Sequence, residues 1–198
     1  MSEEPTLSSE SPAGPTMRPS TLHHTRAAIP AQRHPSPGLQ RFNTASADTA
    51  EAALLACCGS HRWARRVAAH RPYPDLDSLL AAADEASYDL SPAELSEALA
   101  DETPPGLHPG APAAAHTALR AAQGAYESRF GHAFVICLDR VRPAEHLDHV
   151  LAGIRSRLAH DPDEERAVAA DELRSLARGR IAHLMAASGP SDSPSVPV

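Results

Sequence analysis

The sequence predicts an all-α protein, a single-domain bundle of about seven to eight helices with disordered termini. Apolar residues make up 42% of the 198-residue chain and are mostly Ala, Leu and Val, whereas aromatic residues reach only 4%. Closely packed, Ala-rich helices suit this composition better than a β-sandwich does. Helical periodicity recurs between residues 41 and 186, and a chain of this length supports one core.

The two ends of the chain have a different composition from its centre. Residues 1–40 are rich in Pro and Ser and have almost no periodic apolar residues, and residues 187–198 alternate Ser with Pro. Such segments bury too little apolar surface to offset the entropy of ordering them. We therefore expect disordered tails over these two ranges, around a folded unit of residues 41–186.

Four helices are predicted in the first half of the folded unit. Residues 47–58 carry Ala and Leu at helical spacing, and Gly59 is expected to relieve a left-handed cap at their end. Ser91 and Glu94 form a capping box, with Pro92 at the first helical position. The remaining helices are predicted over residues 61–70 behind Ser60, from Asp75 or Asp77 to residue 86, and from Ser91 to residue 100.

The second half begins with a long loop. Residues 101–112 contain four prolines and two glycines, and loops of this size in compact domains are often functional. Beyond it the pattern predicts helices over residues 113–130, 143–159 and 162–185. Residues 134–138 form an apolar run that fits either a short strand or an extended segment packed among helices, and periodicity does not decide between them.

Charge and residue usage exclude several classes of function. The chain has no lysine, which excludes Schiff-base chemistry and a phosphate-loop lysine. Its net charge of −7 argues against a nucleic-acid partner. Cys57, Cys58 and Cys137 lack the spacing of a metal site, so we interpret them as buried thiols and expect no metal. Without a signal peptide or an apolar run of about 20 residues, we expect a cytoplasmic protein that does not span a membrane.

Several motifs together resemble one enzyme family. They are Asn43, residues 54–73 (LLACCGSHRWARRVAAHRPY), Arg129-Phe130-Gly131, Arg157-Leu158, Asp161, Glu165 and Arg180-Ile181. These motifs are similar to those of the OHCU decarboxylases, which convert 2-oxo-4-hydroxy-4-carboxy-5-ureidoimidazoline (OHCU) to (S)-allantoin in urate degradation. The resemblance covers nearly all of residues 43–185. It implies a divergent bacterial member of this family, a cofactor-free carboxy-lyase with OHCU as its small-molecule substrate, and a homodimer.

The resemblance also implies a substrate site. Arg180 stands where relatives place an arginine that contacts the substrate, and a guanidinium is a forked donor suited to the carboxylate or ring carbonyl of OHCU. A backbone segment after Gly131 lines the substrate site in relatives. The further substrate-binding candidates are therefore Phe134, Val135, Ile136, Cys137 and Leu138.

The residue that delivers the proton is left open between two candidates. Relatives carry an Ala-His-Pro motif whose histidine is the proposed acid/base, and Glu102 stands at that position here. His108-Pro109 follows in the same loop and could be the displaced motif, since imidazole exchanges protons near neutral pH. Burial could instead keep Glu102 protonated so that it acts as the acid. A solvated surface position is the competing interpretation for both residues.

These observations support functional hypotheses of different classes. The first is an OHCU decarboxylase in which His108 or Glu102 moves the proton. The second is a catalytically silent relative that keeps the scaffold as a binding or interaction module, because a Ser-x-x-Glu-Gln element that supplies a catalytic carboxylate in relatives is missing here. A third is a lyase that acts on another small ureido or carboxylated ring compound.

Overall fold

The structure, a computed structural model, describes residues 36–108 and 110–187. Within these residues it contains eight α-helices, one 3-10 turn and no strand, which confirms the predicted all-α class. Of the tails predicted over residues 1–40 and 187–198, residues 1–35 and 188–198 lie outside the described residues. In the part of the chain that is described, none of the helices combines the length and hydropathy that a membrane span requires.

The helices follow one another through short connections, except for the long loop before the sixth. They are α1 (Pro37–Thr44), α2 (Ala47–Leu55), α3 (His61–Ala69), α4 (Leu76–Tyr88), α5 (Pro92–Ala100), α6 (Ala113–Phe130), α7 (His146–Arg157) and α8 (Pro162–Ala186), with the 3-10 turn Pro143–Glu145 leading into α7. Side-chain caps open six of them, because an oxygen there accepts from a backbone N–H of the first turn; Ser36 caps α1 and Ser46 caps α2. The other caps are Ser60 for α3, Asp75 for α4, Ser91 for α5 and Asp161 for α8.

The structure corrects the sequence analysis in two places near the N-terminus. α1 begins at Pro37, before the predicted start of the folded unit at residue 41. Gly59 does not adopt the left-handed conformation; a Cβ there would lie 2.8 Å from Oδ2 of Asp101, so glycine is needed because the two segments approach closely. The left-handed glycine of the described chain is Gly131, with φ 78° at the C-cap of α6.

The core consists of two clusters. The larger cluster is formed by α1 to α5 and α8 around the buried Trp63, whose Nε1 donates to the carbonyl of Ala83 at 3.0 Å. The smaller cluster joins α6 and α7 to the segment of residues 131–138. Residues 133–138 of that segment have no regular secondary structure and form no strand; the Val135 side chain belongs to the larger cluster and that of Phe134 to the smaller one. The strand is thereby excluded, and residues 134–138 form an irregular segment packed among helices.

A buried ion pair contacts this segment. Arg157 and Glu165 are 5% and 0% exposed, and Arg157 Nε donates to Glu165 Oε1 at 2.9 Å. Arg157 Nη1 also donates to the carbonyl of Val135 at 2.7 Å, and the Tyr126 hydroxyl donates to Glu165. The guanidinium lies over the Phe134 ring at 4.6 Å from its centroid. Every polar group of the pair therefore has a partner, as burial of charge requires.

The motif residues near the N-terminus tie α1 to the connection between α3 and α4. The Asn43 side chain pairs with the backbone of Tyr73, donating to its carbonyl at 2.8 Å and accepting from its N–H at 2.9 Å. Arg71 Nη1 donates to the carbonyls of Phe42 and Ala45 at 2.7 and 2.8 Å. These residues hold the scaffold that positions the end of α2, and their backbone-directed bonds give them a structural role.

Candidate functional site

Arg180 lies on α8 where this helix passes the end of α2 and the loop that follows α5. Its side chain is 38% exposed and lines two clefts. The cleft of about 500 Å³ is further lined by Leu55, Ala56, Gly59, Asp101, Glu102 and Thr103. The cleft of about 830 Å³ on the other side includes Cys57, Asp139, Gly179 and His183. A ligand in either cleft would have Arg180 as part of its wall.

Glu102, the residue at the position of the family's histidine, forms a bidentate ion pair with Arg180. Nη1 of the guanidinium donates to Oε1 at 2.6 Å and Nη2 donates to Oε2 at 2.8 Å. Nη1 also donates to the carbonyl of Cys57 at 3.0 Å. The hydrogen bond to Glu102 raises the pKa of Arg180 above its ordinary value. Two parallel N–H···O bonds of this kind are the usual geometry of an arginine–carboxylate pair.

Part of the Arg180 guanidinium remains open. A guanidinium has five N–H groups in one plane, and both on Nη1 and one on Nη2 are used by Glu102 and Cys57. The Nε–H and the second Nη2–H have no acceptor among the described residues. Glu102 is bound at the Nη1/Nη2 edge of the guanidinium, and the two remaining donors form the adjacent Nε/Nη2 edge. Such an edge can bind two oxygens of a planar anion or the oxygen of a carbonyl.

His108, the other proton-donor candidate, lies exposed in the loop between α5 and α6. Its Nδ1 accepts from the N–H of Gly110 at 3.1 Å. Of the two candidates, Glu102 is hydrogen-bonded to Arg180, whereas the hydrogen bond of His108 stays within its own loop. Pro109 lies outside the described residues.

The backbone of residues 134–138 is held largely by groups of the protein itself. The Val135 carbonyl accepts from Arg157, the Cys137 N–H donates to Oε2 of Glu172 at 2.8 Å, and the Leu138 carbonyl accepts from the Val141 N–H at 2.9 Å. Ile136, Cys137 and Leu138 are half-buried, while Phe134 and Val135 are buried. A substrate-contacting role for this backbone stays a prediction.

The end of this segment nevertheless reaches the site. Oδ2 of Asp139 lies 2.7 Å from the place that a Cβ on Gly179 would take, and Asp139 lines the larger cleft together with Arg180. The sequence analysis did not identify Asp139 or the Cys57 carbonyl as parts of the site. A glycine inside a helical pattern often marks a close approach, and Gly179 immediately before Arg180 is the signal that could have indicated Asp139.

The two adjacent cysteines are buried, as predicted. Burial raises the pKa of Cys57 and of Cys58 to about 11, and the Cys57 thiol donates to the carbonyl of Ala53 at 3.4 Å. Thiols with such pKa values are protonated near neutral pH and do not act as nucleophiles. Cys137 is half-buried instead. Within the described ranges, no group of three or more His, Cys, Asp or Glu residues is arranged to hold a metal ion.

Comparison with known proteins identifies relatives of this fold. The sequence profile of the OHCU decarboxylase family matches residues 43–106 and 104–182. A crystal structure of OHCU decarboxylase in the presence of (S)-allantoin is similar, with a TM-score of 0.59, 21% identity, and coverage of 72% of this chain and 99% of that chain. A crystal structure of (S)-allantoin synthase is also similar, with a TM-score of 0.57 and 19% sequence identity over 74% of this chain.

The chain spans about half of the (S)-allantoin synthase chain, 53% of its length. Among curated proteins, none matches the sequence significantly. At identities of 19% and 21%, the two solved structures support the fold, whereas the profile match extends from residue 43 to residue 182.

Proposed function

The chain belongs to the OHCU decarboxylase family, and we propose that it is a cofactor-free carboxy-lyase of urate degradation that converts OHCU to (S)-allantoin. The observation that carries this proposal is the open Nε/Nη2 edge of Arg180 beside the clefts at the ends of α2 and α5. Decarboxylation of OHCU needs no cofactor, because the electron pair left by CO₂ is delocalised into the ring. The protein has to hold the substrate and add a proton to one face.

Arg180 is suited to the electrostatic part of this reaction. A guanidinium donor aimed at the ring stabilises the negative charge that develops there as CO₂ leaves. Its orientation is fixed before a substrate arrives, because Glu102 and the Cys57 carbonyl already hold Nη1. A donor fixed in this way costs little reorganisation when the substrate binds.

The proton is assigned in this proposal to His108. Glu102 is held as a carboxylate by Arg180 and has no proton to give while the pair is intact. His108 lies in the same loop, is exposed, and carries a ring nitrogen that can exchange protons. The proposal requires the imidazole of His108 to reach the ring of the bound substrate.

The test is turnover of freshly generated OHCU by the purified protein. We expect faster loss of OHCU and an excess of (S)-allantoin, followed by absorbance and circular dichroism. Arg180→Lys should lower kcat/KM by about 100-fold, because an ammonium cannot reproduce the fork. Arg178→Lys is the matched control, since Arg178 lies on α8 like Arg180 but pairs with Asp84 of α4; its kcat/KM should stay within about twofold of wild type. The proposal would be refuted if, in the presence of the protein, OHCU were lost only at its spontaneous rate and gave racemic allantoin.

A second candidate function is a catalytically silent relative that binds a small ureido compound. The Glu102–Arg180 pair favours it, because this pair replaces a proton donor by a carboxylate. Titration with (S)-allantoin separates the two candidates: binding without turnover supports the silent relative. Under the enzymatic proposal, His108→Ala should lower kcat more than it raises KM.

The proposal also includes a homodimer in the cytoplasm. The family resemblance supports the homodimer, and the composition of the sequence supports the location. The net charge of −7 supports partners other than nucleic acid. Sedimentation equilibrium of the full chain would measure the oligomeric state directly.

A further inference from the structure

Glu102 changes what the open edge of Arg180 can bind. We propose that Glu102 is a positioning residue that determines specificity: it makes this edge a site for a neutral carbonyl group and disfavours a carboxylate. The inference rests on the proposed function, and it states which part of the substrate faces Arg180. A ring or ureido carbonyl lies on the guanidinium, and the carboxylate that departs as CO₂ points away from it.

The ion pair supplies the first reason. Both carboxylate oxygens of Glu102 accept from Arg180, at 2.6 and 2.8 Å, so the positive charge already has a counterion in contact. The Glu102 side chain is 5% exposed, and water screens the charge of a buried group much less than that of an exposed one. A second carboxylate on the neighbouring edge would therefore gain little attraction from Arg180 and would be repelled by Glu102.

The other charges of the clefts act in the same direction. Asp101 lines the smaller cleft and Asp139 the larger one. With Glu102 in the smaller cleft, each of the two clefts that Arg180 lines therefore has at least one carboxylate in its wall. His183 is the other residue of the larger cleft that can carry a positive charge, and it is exposed on α8. A neutral carbonyl accepts from Nε–H and Nη2–H without this repulsion.

Orientation by a carbonyl also fits the energetics of losing CO₂. The bond between a ring carbon and the carboxylate breaks, its electron pair stays on the ring, CO₂ leaves, and a proton is added to a ring carbon. The carboxylate loses its charge in this step, so an ion pair to it would stabilise the substrate more than the transition state. The ring gains charge, so a donor on the ring carbonyl is strengthened as the transition state forms.

The test compares two inert ligands that differ in charge. Hydantoin is a neutral cyclic ureide, and N-carbamoylglycine is its ring-opened carboxylate; both are titrated into the full chain by calorimetry or NMR. We expect the wild-type protein to bind hydantoin at least about tenfold more tightly than N-carbamoylglycine. Glu102→Gln should lower this ratio by about tenfold or more, mainly through tighter binding of the carboxylate.

Two variants serve as controls. Glu102→Asp keeps the carboxylate and should keep the preference for hydantoin. If Glu102 had only a structural role, Glu102→Asp and Glu102→Gln would be expected to change the binding ratio alike. Asp84→Asn, on α4, removes the partner of Arg178 on α8. It should leave the ratio of hydantoin to N-carbamoylglycine affinity unchanged. Circular dichroism of each variant checks folding, and if Glu102→Gln does not fold, the wild-type ratio decides the question by itself.

Three results would overturn the inference. They are a wild-type protein that prefers N-carbamoylglycine, a Glu102→Gln variant with an unchanged ratio, and a wild-type protein that binds neither ligand. Turnover of OHCU is measured separately, so the two proposals can fail independently. Turnover with a preference for the carboxylate would retain the proposed function and remove the role of Glu102; a preference for hydantoin without turnover would do the opposite.

Discussion

At the scale of single residues, two arginine–glutamate pairs differ in burial and in how many of their N–H donors have acceptors. Arg157 and Glu165 are both enclosed, at 5% and 0% exposure, and a tyrosine hydroxyl, a backbone carbonyl and an aromatic ring complete their surroundings. Arg180 is 38% exposed and keeps two donors without an acceptor among the described residues. The first pair is complete within the protein, whereas the second is open on one side to a ligand.

The buried pair predicts how stability depends on pH. Burial raises the pKa of Glu165, but hydrogen bonds from Arg157 and Tyr126 outweigh this and hold it below the ordinary value of 4.5. A pKa lowered in the folded state gives stability that is present above the unfolded pKa and lost as the pH falls through the folded pKa. Glu165→Gln should cost about 3–5 kcal/mol at pH 7, and its deficit relative to wild type should shrink below about pH 4.5.

Urea unfolding of both proteins between pH 7 and pH 3 measures this deficit. Glu94 and Asp161 also have lowered pKa values, because backbone N–H groups donate to them, but both proteins share these residues and their effects cancel in the difference. A deficit that is constant over the whole pH range would contradict the role assigned to Glu165.

The cysteines predict an order of chemical modification. Burial raises the pKa of Cys57 and Cys58 to about 11, whereas Cys137 is half-buried. With a thiol reagent such as Ellman's reagent at pH 7.5, Cys137 should react first in the native protein, and all three should react in urea. Peptide mapping identifies the modified residue, and Cys137→Ser is the control. Rapid native labelling of Cys57 or Cys58 would contradict the burial described here.

The individual members of the site could be predicted more readily than their arrangement. Arg180 and Glu102 were both identified from the sequence, through their positions in the family pattern. Their ion pair joins positions 78 apart, and it depends on how α8 packs against the end of α5. The Cys57 carbonyl could not be found at all, because a backbone acceptor carries no signal in residue type.

At the scale of elements, the glycines of α1 and α8 mark two different kinds of close approach. A Cβ on Gly38 would lie 2.0 Å from the carbonyl oxygen and 2.7 Å from the carbonyl carbon of Met185, which are backbone atoms of α8. A Cβ on Gly179 would meet the end of the Asp139 side chain, which is exposed and can rotate. The first contact is between helices, and the second is with a movable carboxylate.

These contacts predict opposite results for the same substitution. Gly38→Ala should destabilise the protein by about 2–3 kcal/mol, because α1 has to move away from α8. Gly179→Ala should be neutral or stabilising by up to about 1 kcal/mol, since alanine favours the helix and Asp139 can yield. Denaturant midpoints of the two variants provide the comparison. Equal effects would mean that α1 is not packed on α8 as described.

The helices were predictable where capping residues are local signals. Ser60, Ser91 and Asp161 begin their helices at the expected positions, because an N-cap acts within one turn. α1 was missed although Ser36 and Pro37 form a cap and a first helical position, since the Pro-rich composition around them predicted a tail. The structure of residues 134–138 could not be assigned from the sequence, because the segment packs against both clusters and its conformation depends on those tertiary contacts.

At the scale of the whole molecule, α1 contributes to the larger cluster. Leu39 is fully buried, and its N–H donates to Oγ of the cap Ser36. A chain that starts at residue 41 should therefore be less stable than one that starts at residue 36, by about 3 kcal/mol for the lost leucine and cap. Urea unfolding of the two shortened chains measures the difference, and equal midpoints would show that the first turn of α1 adds nothing.

The position of Arg157 between the two clusters has a thermodynamic consequence. Its guanidinium binds the carbonyl of Val135, whose side chain belongs to the larger cluster, and covers the ring of Phe134 in the smaller one. Neither cluster can lose its order without breaking bonds that the other also needs. Heating should therefore melt the described helices in one cooperative transition, with a calorimetric enthalpy equal to the van't Hoff enthalpy.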